Sequence, residues 1–339
     1  MIDNAVTAAD DIGVAIILSE KKGRCVRATR ELKRGTVVSD EAPLLWLKFT
    51  DDVGNDGNDE YYYCHRCLEK MRREVVVECE YCDVEKYCSV DCRRLASVEY
   101  HCKTGECFAF DTGRDAEKKD PERYSFSDVP NRLAIRAYAK LGGWTGLEKT
   151  AEEKRRVSLH LRKHLKECVA HVPKDHNDDS NFLSILCSNT RALMGADEEI
   201  VKEEDFVRAA WALRANAHTL YDVDEGDDDA TVRRSRLENK RRKKIGVGLF
   251  PTLSRSFNHS CEPNAVFENV RLRLFVRLIT DVRRGEEITI SYLNDDEKRK
   301  KREYRREMLR MQYNFDCDCV KCEREEGEEE KEEKAEEDL

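Results

Sequence analysis

Two kinds of hydrophobic spacing occupy different parts of this chain. Near its start, residues 13–18 are a short apolar run, and Lys22-Gly23-Arg24-Cys25-Val26-Arg27-Ala28 leads into Glu31-Leu32-Lys33-Arg34-Gly35-Thr36-Val37-Val38. Gly35 marks a turn between two β-rich runs. Late in the chain, residues 271–279 and 287–293 alternate apolar and polar positions with period two, which predicts strands with one buried face. Between these ends apolar residues recur at three and four, so residues 131–141, 148–171 and 203–220 read as amphipathic helices. The expected fold class is α+β. Residues 51–59, rich in Gly, Asp and Asn, read as a linker, and residues 222–230 as an acidic, turn-rich connection. No apolar run approaches the roughly 20 residues of a membrane span. The first ten residues lack a basic region followed by an apolar core, so no secretory signal is expected.

Composition changes this picture in two places. The chain has 339 residues, 39% of them charged, enough for one sizeable core or two smaller ones. Its net charge of −9 is unevenly spread: residues 323–339 hold 11 acidic and 3 basic side chains, or −8, which leaves −1 for the other 322 residues. Such a run repels itself and buries no apolar surface, so a disordered tail is expected. Residues 233–244, by contrast, carry eight basic side chains in twelve, a pattern that fits an import signal, a nucleic-acid docking patch or a solvated helix.

The 15 cysteines carry the strongest chemical signal. In a chain expected to stay in a reducing intracellular compartment they read as metal ligands rather than disulfides. Cys64-x2-Cys67 is followed after eleven residues by Cys79-x2-Cys82, after five by Cys88-x3-Cys92, and after eight by His101, with Cys107 beyond. Eight soft ligands in 44 residues predict two tetrahedral zinc sites. His65, between two ligands, reads as a loop histidine. His160 and His164, one helical turn apart with no matching carboxylate or Cys nearby, read as a solvated face.

A further stretch is Asn258-His259-Ser260-Cys261 with Pro263-Asn264, an irregular turn that gathers polar groups where a ligand could use them. It follows Gly246-Val247-Gly248-Leu249-Phe250-Pro251 and precedes the two alternating runs. The chain then reaches Tyr313-Asn314-Phe315-Asp316-Cys317-Asp318-Cys319-Val320-Lys321-Cys322. In this order the pieces resemble the SET domain of protein-lysine methyltransferases. The cysteine spacing, with Glu85-Lys86-Tyr87-Cys88-Ser89-Val90-Asp91-Cys92, resembles a MYND zinc finger. A finger set between two SET halves resembles the SMYD family, over about residues 13–322.

The resemblance implies a β-rich SET fold with an inserted MYND finger, a helical middle insert and a zinc-bound post-SET segment. The implied divisions are 11–50 for the first SET half, 64–107 for the finger, 120–215 for the helical insert, 216–300 for the catalytic half, 301–322 for the post-SET segment and 323–339 for the tail. It implies interleaved ligation, with Cys64, Cys67, Cys88 and Cys92 on one metal. Cys79, Cys82, His101 and either Cys102 or Cys107 would hold a second. Cys107 is preferred, because adjacent ligands are awkward in a tetrahedron. Cys261, Cys317, Cys319 and Cys322 would bind a third zinc, leaving Cys25, Cys102, Cys168 and Cys187 as free thiols.

By resemblance the cofactor is S-adenosylmethionine, held by Lys22, Gly23, Arg24, Asn216, Asn258, His259, Tyr292 and Phe315. Cys25 stands where the family usually has Gly. Tyr292 is the implied catalytic residue, its hydroxyl directed at the methyl and the amine, while Glu286-Glu287 reads as a polar turn. Methyl transfer to a lysine amine is an in-line displacement that needs alignment and a neutral amine. Free lysine has a pKa near 10.4, which an apolar channel beside a positive sulfonium would lower. Larger SMYD members have a helical C-terminal domain, which is not expected here because 17 residues follow Cys322. The expected partners are a protein substrate, histone or other, and peptides docking on the finger. No membrane is expected to be involved, and the expected state is a monomer in nucleus and cytoplasm. A catalytically silent SET/MYND scaffold is the alternative, disfavoured because a scaffold has no chemical need for Asn258, His259 and Tyr292 together.

Overall fold

The computed structural model describes residues 5–9, 11–49, 61–82, 84–102, 106–107, 129–142, 165–166, 168, 184, 187–188, 202–222, 243–251 and 253–337. The linker 51–59, most of the helix expected over 148–171, His160 and His164, residues 223–230 and most of the basic run 233–244 lie outside them. The chain forms two compact units: Met1–Ala42, Pro251–Glu268 and Arg273–Leu339 make the first, Pro43–Phe250 and Asn269–Leu272 the second.

Numbered along the chain, the first unit holds a five-stranded sheet in the order β1 (Ala5–Ala9), β2 (Val14–Ser19), β3 (Gly23–Ala28), β15 (Glu287–Ile290), β12 (Asn258–His259). A three-stranded sheet runs β13 (Ala265–Val270), β14 (Arg273–Leu278), β4 (Val37–Glu41). The period-two reading is realised in β14, where Leu274, Val276 and Leu278 are buried and their neighbours are not, and in β15, where Ile288 and Ile290 are buried. Of these, Val276, Leu278, Ile288 and Ile290 share one core with Val14, Ile16, Val26, Ala28, Val38 and Phe257. Each large apolar side chain taken from water there contributes about 1.5–3 kcal/mol before entropy is counted. The strand expected over 271–279 begins only at Arg273, because Arg271 takes φ 52 in the hairpin bend. The strand expected over 287–293 stops at Ile290: the Ser291 hydroxyl donates to the Leu293 carbonyl at 2.9 Å and turns the chain, so Tyr292 lies past the strand end.

After this turn come α4 (Asp295–Lys298), closed by an Asn294/Glu297 capping box, and α5 (Arg302–Tyr313), ended by Asn314 in the left-handed conformation. The expected disordered tail is instead helical: α6 runs Val320–Glu337. Glu, Lys and Ala are strong helix formers. The first turns are also tied down, with Arg305 pairing Glu325 at 2.6 Å and Arg306 pairing Glu326 at 3.2 Å.

In the second unit β5 (Leu45–Lys48) and β10 (His218–Tyr221) flank β11 (Lys244–Leu249) in an antiparallel sheet. Helices α2 (Val129–Gly142) and α3 (Glu203–Asn216) pack together over a core that includes Leu45, Leu47, Leu133, Phe206 and Leu249. The helix expected over 203–220 ends at Asn216. Ala217 is extended and residues 218–221 pair with β11, so strand pairing overrides the helical spacing. Gly246 is required by packing, since a Cβ there would lie 2.5 Å from the Leu47 carbonyl oxygen. The finger comprises hairpins β6–β7 (Tyr61–Tyr63, Lys70–Arg72) and β8–β9 (Val77–Glu78, Lys86–Tyr87) followed by α1 (Val90–Glu99), whose N-cap Ser89 accepts the Cys92 amide. No helix among the described residues is long and apolar enough to cross a membrane.

Candidate functional site

In the first unit the Asn-His pair is a two-residue strand lying parallel to β15, with Asn258 opposite Thr289 and His259 opposite Ile290. Asn264 holds the turn after it, donating to the Glu287 carbonyl at 2.8 Å and accepting the Thr289 amide at 2.8 Å. His259 is buried, and its Nδ1 accepts the Tyr292 amide at 2.9 Å. The ring proton therefore sits on Nε2, which is 3.4 Å from the Cys261 sulfur. Burial pushes the imidazole pKa down to about 4, so the ring is neutral at physiological pH.

Tyr292 donates its hydroxyl to the Phe257 carbonyl at 2.8 Å. Burial, with Tyr313 and Glu287 nearby, pushes its pKa above the ordinary phenol value, so it keeps its proton. Its ring centroid lies 5.4 Å from His259, 4.8 Å from Tyr313 and 6.3 Å from Phe315. His259, Tyr292 and Phe315, predicted from sequence, thus form one aromatic group. Tyr313 joins it and was missed, for want of any spacing signal.

The turn before β3 reaches the same sheet. Gly23 has φ 67, a backbone conformation that side-chain-bearing residues rarely adopt. Beside it the Lys22 ammonium lies 3.5 Å from Glu287 and 3.7 Å from Asp318. Burial works against its charge, but these two carboxylates outweigh it and raise its pKa. Glu287 also accepts the Asn258 side-chain amide at 2.9 Å. It was read as part of a polar turn; in fact it joins two of the predicted ligand-holding residues. Its strand position, one residue from an apolar one, gives no hint of this. Arg24 follows in β3, and Cys25 is buried, with its thiol 3.5 Å from the Ile17 carbonyl. Asn216 belongs to the second unit, where it ends α3 and donates to the Ala212 carbonyl at 2.7 Å.

Three groups of soft ligands are gathered. A tetrahedron with metal–sulfur bonds of about 2.3 Å needs sulfurs about 3.8 Å apart. In the first group, Cys64, Cys67, Cys88 and Cys92, the distances are 3.6 Å for Cys67–Cys88, 3.6 Å for Cys88–Cys92 and 3.9 Å for Cys67–Cys92. In the third, Cys261, Cys317, Cys319 and Cys322, Cys261 lies 4.0 Å from Cys317 and 3.6 Å from Cys322. Both fit zinc. The second group is Cys79, His101, Cys102 and Cys107; Cys82, an expected ligand, lies beside it rather than in it. Cys79 is 3.5 Å from Cys102 and 3.8 Å from Cys107, and Cys82 is 3.4 Å from His101 Nε2. Cys102, expected to be free, is therefore at the site alongside Cys107. The Cys107 amide donates to the His101 carbonyl at 3.2 Å, a bend that returns both thiols to Cys79. His65 does lie in a turn, but a buried one, where its Nδ1 accepts the Lys86 amide at 2.9 Å.

The second group is also joined to a helix. His101 Nδ1 is 2.8 Å from Glu106, leaving Nε2 for a metal. Glu106 in turn accepts from Arg136 of α2 at 2.6 Å, and Arg136 also reaches Glu85 at 2.5 Å and the Trp46 carbonyl at 2.9 Å. Arg136 is 1% exposed. Burial alone would raise the Glu85 pKa, but Arg136 with His65 and His101 holds it well below the usual carboxylate range.

A family model described as the SET domain matches residues 23–293. The histone-lysine N-methyltransferase SMYD3 of Mus musculus is 26% identical over 303 residues, 89% of this chain and 59% of that protein. Its Homo sapiens counterpart is 27% identical over 303 residues, 89% of this chain and 60% of that protein. A SET and MYND domain-containing protein of Dictyostelium discoideum is 29% identical over 273 residues, 76% of this chain and 70% of that protein. The chain thus spans about three fifths of the length of the two SMYD3 proteins. Among solved structures, Rubisco LSMT bound to AdoMet has a TM-score of 0.36 and 14% identity, over 93% of this chain and 54% of that one.

Proposed function

The chain belongs to the SET-domain family, in its SMYD branch, and on that premise we propose that it is a protein-lysine methyltransferase using S-adenosylmethionine. The observation that carries this reading is the joining, within one sheet, of the Asn258-His259 strand, the Lys22-Gly23 turn and the Tyr292 aromatic group through Glu287 and the Tyr292 amide. When bound, S-adenosylmethionine supplies a methyl group on a positive sulfonium.

The chain's own residues then have separate tasks. With its amide nitrogen engaged by Glu287, Asn258 presents its carbonyl oxygen to an ammonium, and Lys22 and Arg24 complement a carboxylate, the two charged ends of an amino acid. Phe315 and Tyr313 supply aromatic surface for a base and for an alkyl chain. Asn216 is the further cofactor-holding residue in this reading. Tyr292, protonated and oriented by the Phe257 carbonyl, directs the acceptor amine and removes no proton. The amine reaches its neutral form by desolvation beside a positive charge.

The substrate is a lysine-bearing protein, histone or other, the finger docks peptides of partners, and the chain acts as a monomer in nucleus and cytoplasm. Incubating purified protein with methyl-labelled S-adenosylmethionine and a cell extract tests the activity and reveals the substrate together. Label on protein lysine is the expected result. Cofactor binding with no transfer to any protein would point to a silent scaffold.

A further inference from the structure

Helix α5 turns three arginines, Arg302, Arg305 and Arg306, toward the cysteine loop and the start of α6. Arg305 differs from the other two in being buried, with 1% of its surface exposed. Its Nε is 3.3 Å from the Cys261 sulfur and its Nη2 3.5 Å from the Cys322 sulfur. The same Nη2 donates to Glu325 at 2.6 Å, and Nη1 donates to the Lys300 carbonyl at 2.6 Å. One guanidinium therefore spans two of the four thiols, a backbone carbonyl and a carboxylate of the acidic tail.

A zinc ion with four thiolates carries a net charge of about −2. All four cysteines here are buried, so that charge sits away from water and depends on donors aimed at the sulfurs. The Cys261 amide, 3.4 Å from the Cys319 sulfur, and His259 Nε2 provide two neutral donors. Arg305 provides a cationic one that grips two sulfurs at once. We propose that Arg305 is a positioning residue of the third zinc site. It offsets part of the four-thiolate charge and sets the separation of Cys261 from Cys322, while Glu325 fixes the guanidinium. The first turn of the acidic tail is on this account part of the metal site.

The proposal differs from a plain helix-to-helix clamp, in which Arg305 would matter only for α6. The test uses the full-length zinc-loaded protein and its Arg305→Met, Arg305→Lys and Glu325→Gln variants. Total zinc, the rate of zinc transfer to a chromogenic chelator, and alkylation of each cysteine read by mass spectrometry are measured on each. Arg305→Met should release one zinc of three about 10–100-fold faster than the parent, the usual range for loss of an outer-shell partner. Cys261, Cys317, Cys319 and Cys322 should become alkylated in step, with the finger cysteines still protected. Arg305→Lys should fall between the two, because it keeps the charge and loses the two-pronged geometry. Glu325→Gln should accelerate release by less than Arg305→Met. Unchanged release in Arg305→Met, or equal effects of Arg305→Met and Glu325→Gln, would overturn the proposal. Should Arg305→Met fail to fold, Arg305→Lys decides alone: release of that zinc at the parental rate rejects the assignment.

Discussion

At the scale of single residues, the geometry gives Tyr292 and Glu287 different duties. Tyr292 is fixed at both ends, its amide on His259 and its hydroxyl on the Phe257 carbonyl. Tyr292→Phe deletes one hydroxyl from a packed ring, so stability should fall by only about 1 kcal/mol. If the hydroxyl orients the reacting amine, kcat should drop by about 10²-fold with cofactor affinity unchanged. Single-turnover rates beside calorimetric cofactor titration separate the two, and full turnover in Tyr292→Phe would leave the residue a packing role. Glu287 is the opposite case, a side chain that touches Asn258 and Lys22 yet was passed over in the sequence. Glu287→Gln weakens a charge-assisted pair worth about 1.5–3 kcal/mol. Cofactor affinity should then fall roughly tenfold or more while kcat at saturation changes little; an unchanged dissociation constant would remove Glu287 from the site.

Among elements, the unexpected partnership is that of the finger and α2. Read as a sequence, the finger is a self-contained zinc module inserted at a linker. In the folded unit Arg136 reaches out of α2 to Glu106 and Glu85, and Glu106 orients the ligand His101. A buried charge left without its partner costs about 3–5 kcal/mol. Arg136→Met should therefore lower stability by that order in urea unfolding and loosen the zinc of the Cys79 group, leaving that of the Cys64 group in place. Equal retention of both finger zincs would show that α2 and the finger's metal site are independent.

For the molecule as a whole, three ligand groups imply about three zinc ions per chain, measurable by elemental analysis of purified protein. The groups serve different surfaces. Cys261 lies two residues beyond His259, and the Cys317 group follows directly on Phe315. Cys317→Ser should reduce the zinc count by one, abolish methylation of a short peptide, and preserve both finger metals. Persistent activity with two zincs would detach the third site from catalysis.

Much of this was legible because it depends on local spacing. Closely spaced cysteines announce metal sites, and the family resemblance grouped them correctly around Cys64 and around Cys261; in the group around Cys79 it left Cys102 out, because which thiols meet there depends on the folded backbone. Period-two runs fixed the faces of β14 and β15, since alternation is a property of any extended backbone. Contacts between distant residues were not legible. Nothing near Glu287 announces Asn258, 29 positions away, nor does anything near Arg136 announce Glu106 or Glu85. The helical spacing after Asn216 was overruled by pairing with β11, because a strand partner stabilises more than local propensity does, and the first turns of the acidic tail, whose residues favour a helix, are held by arginines of α5. Sequence thus determined which residue types could bind metal, and its resemblance to a family implied which could hold a cofactor. Tertiary structure decided which of them meet, because hydrogen bonds and buried charges depend on positions that only the folded backbone brings within 3 Å or so.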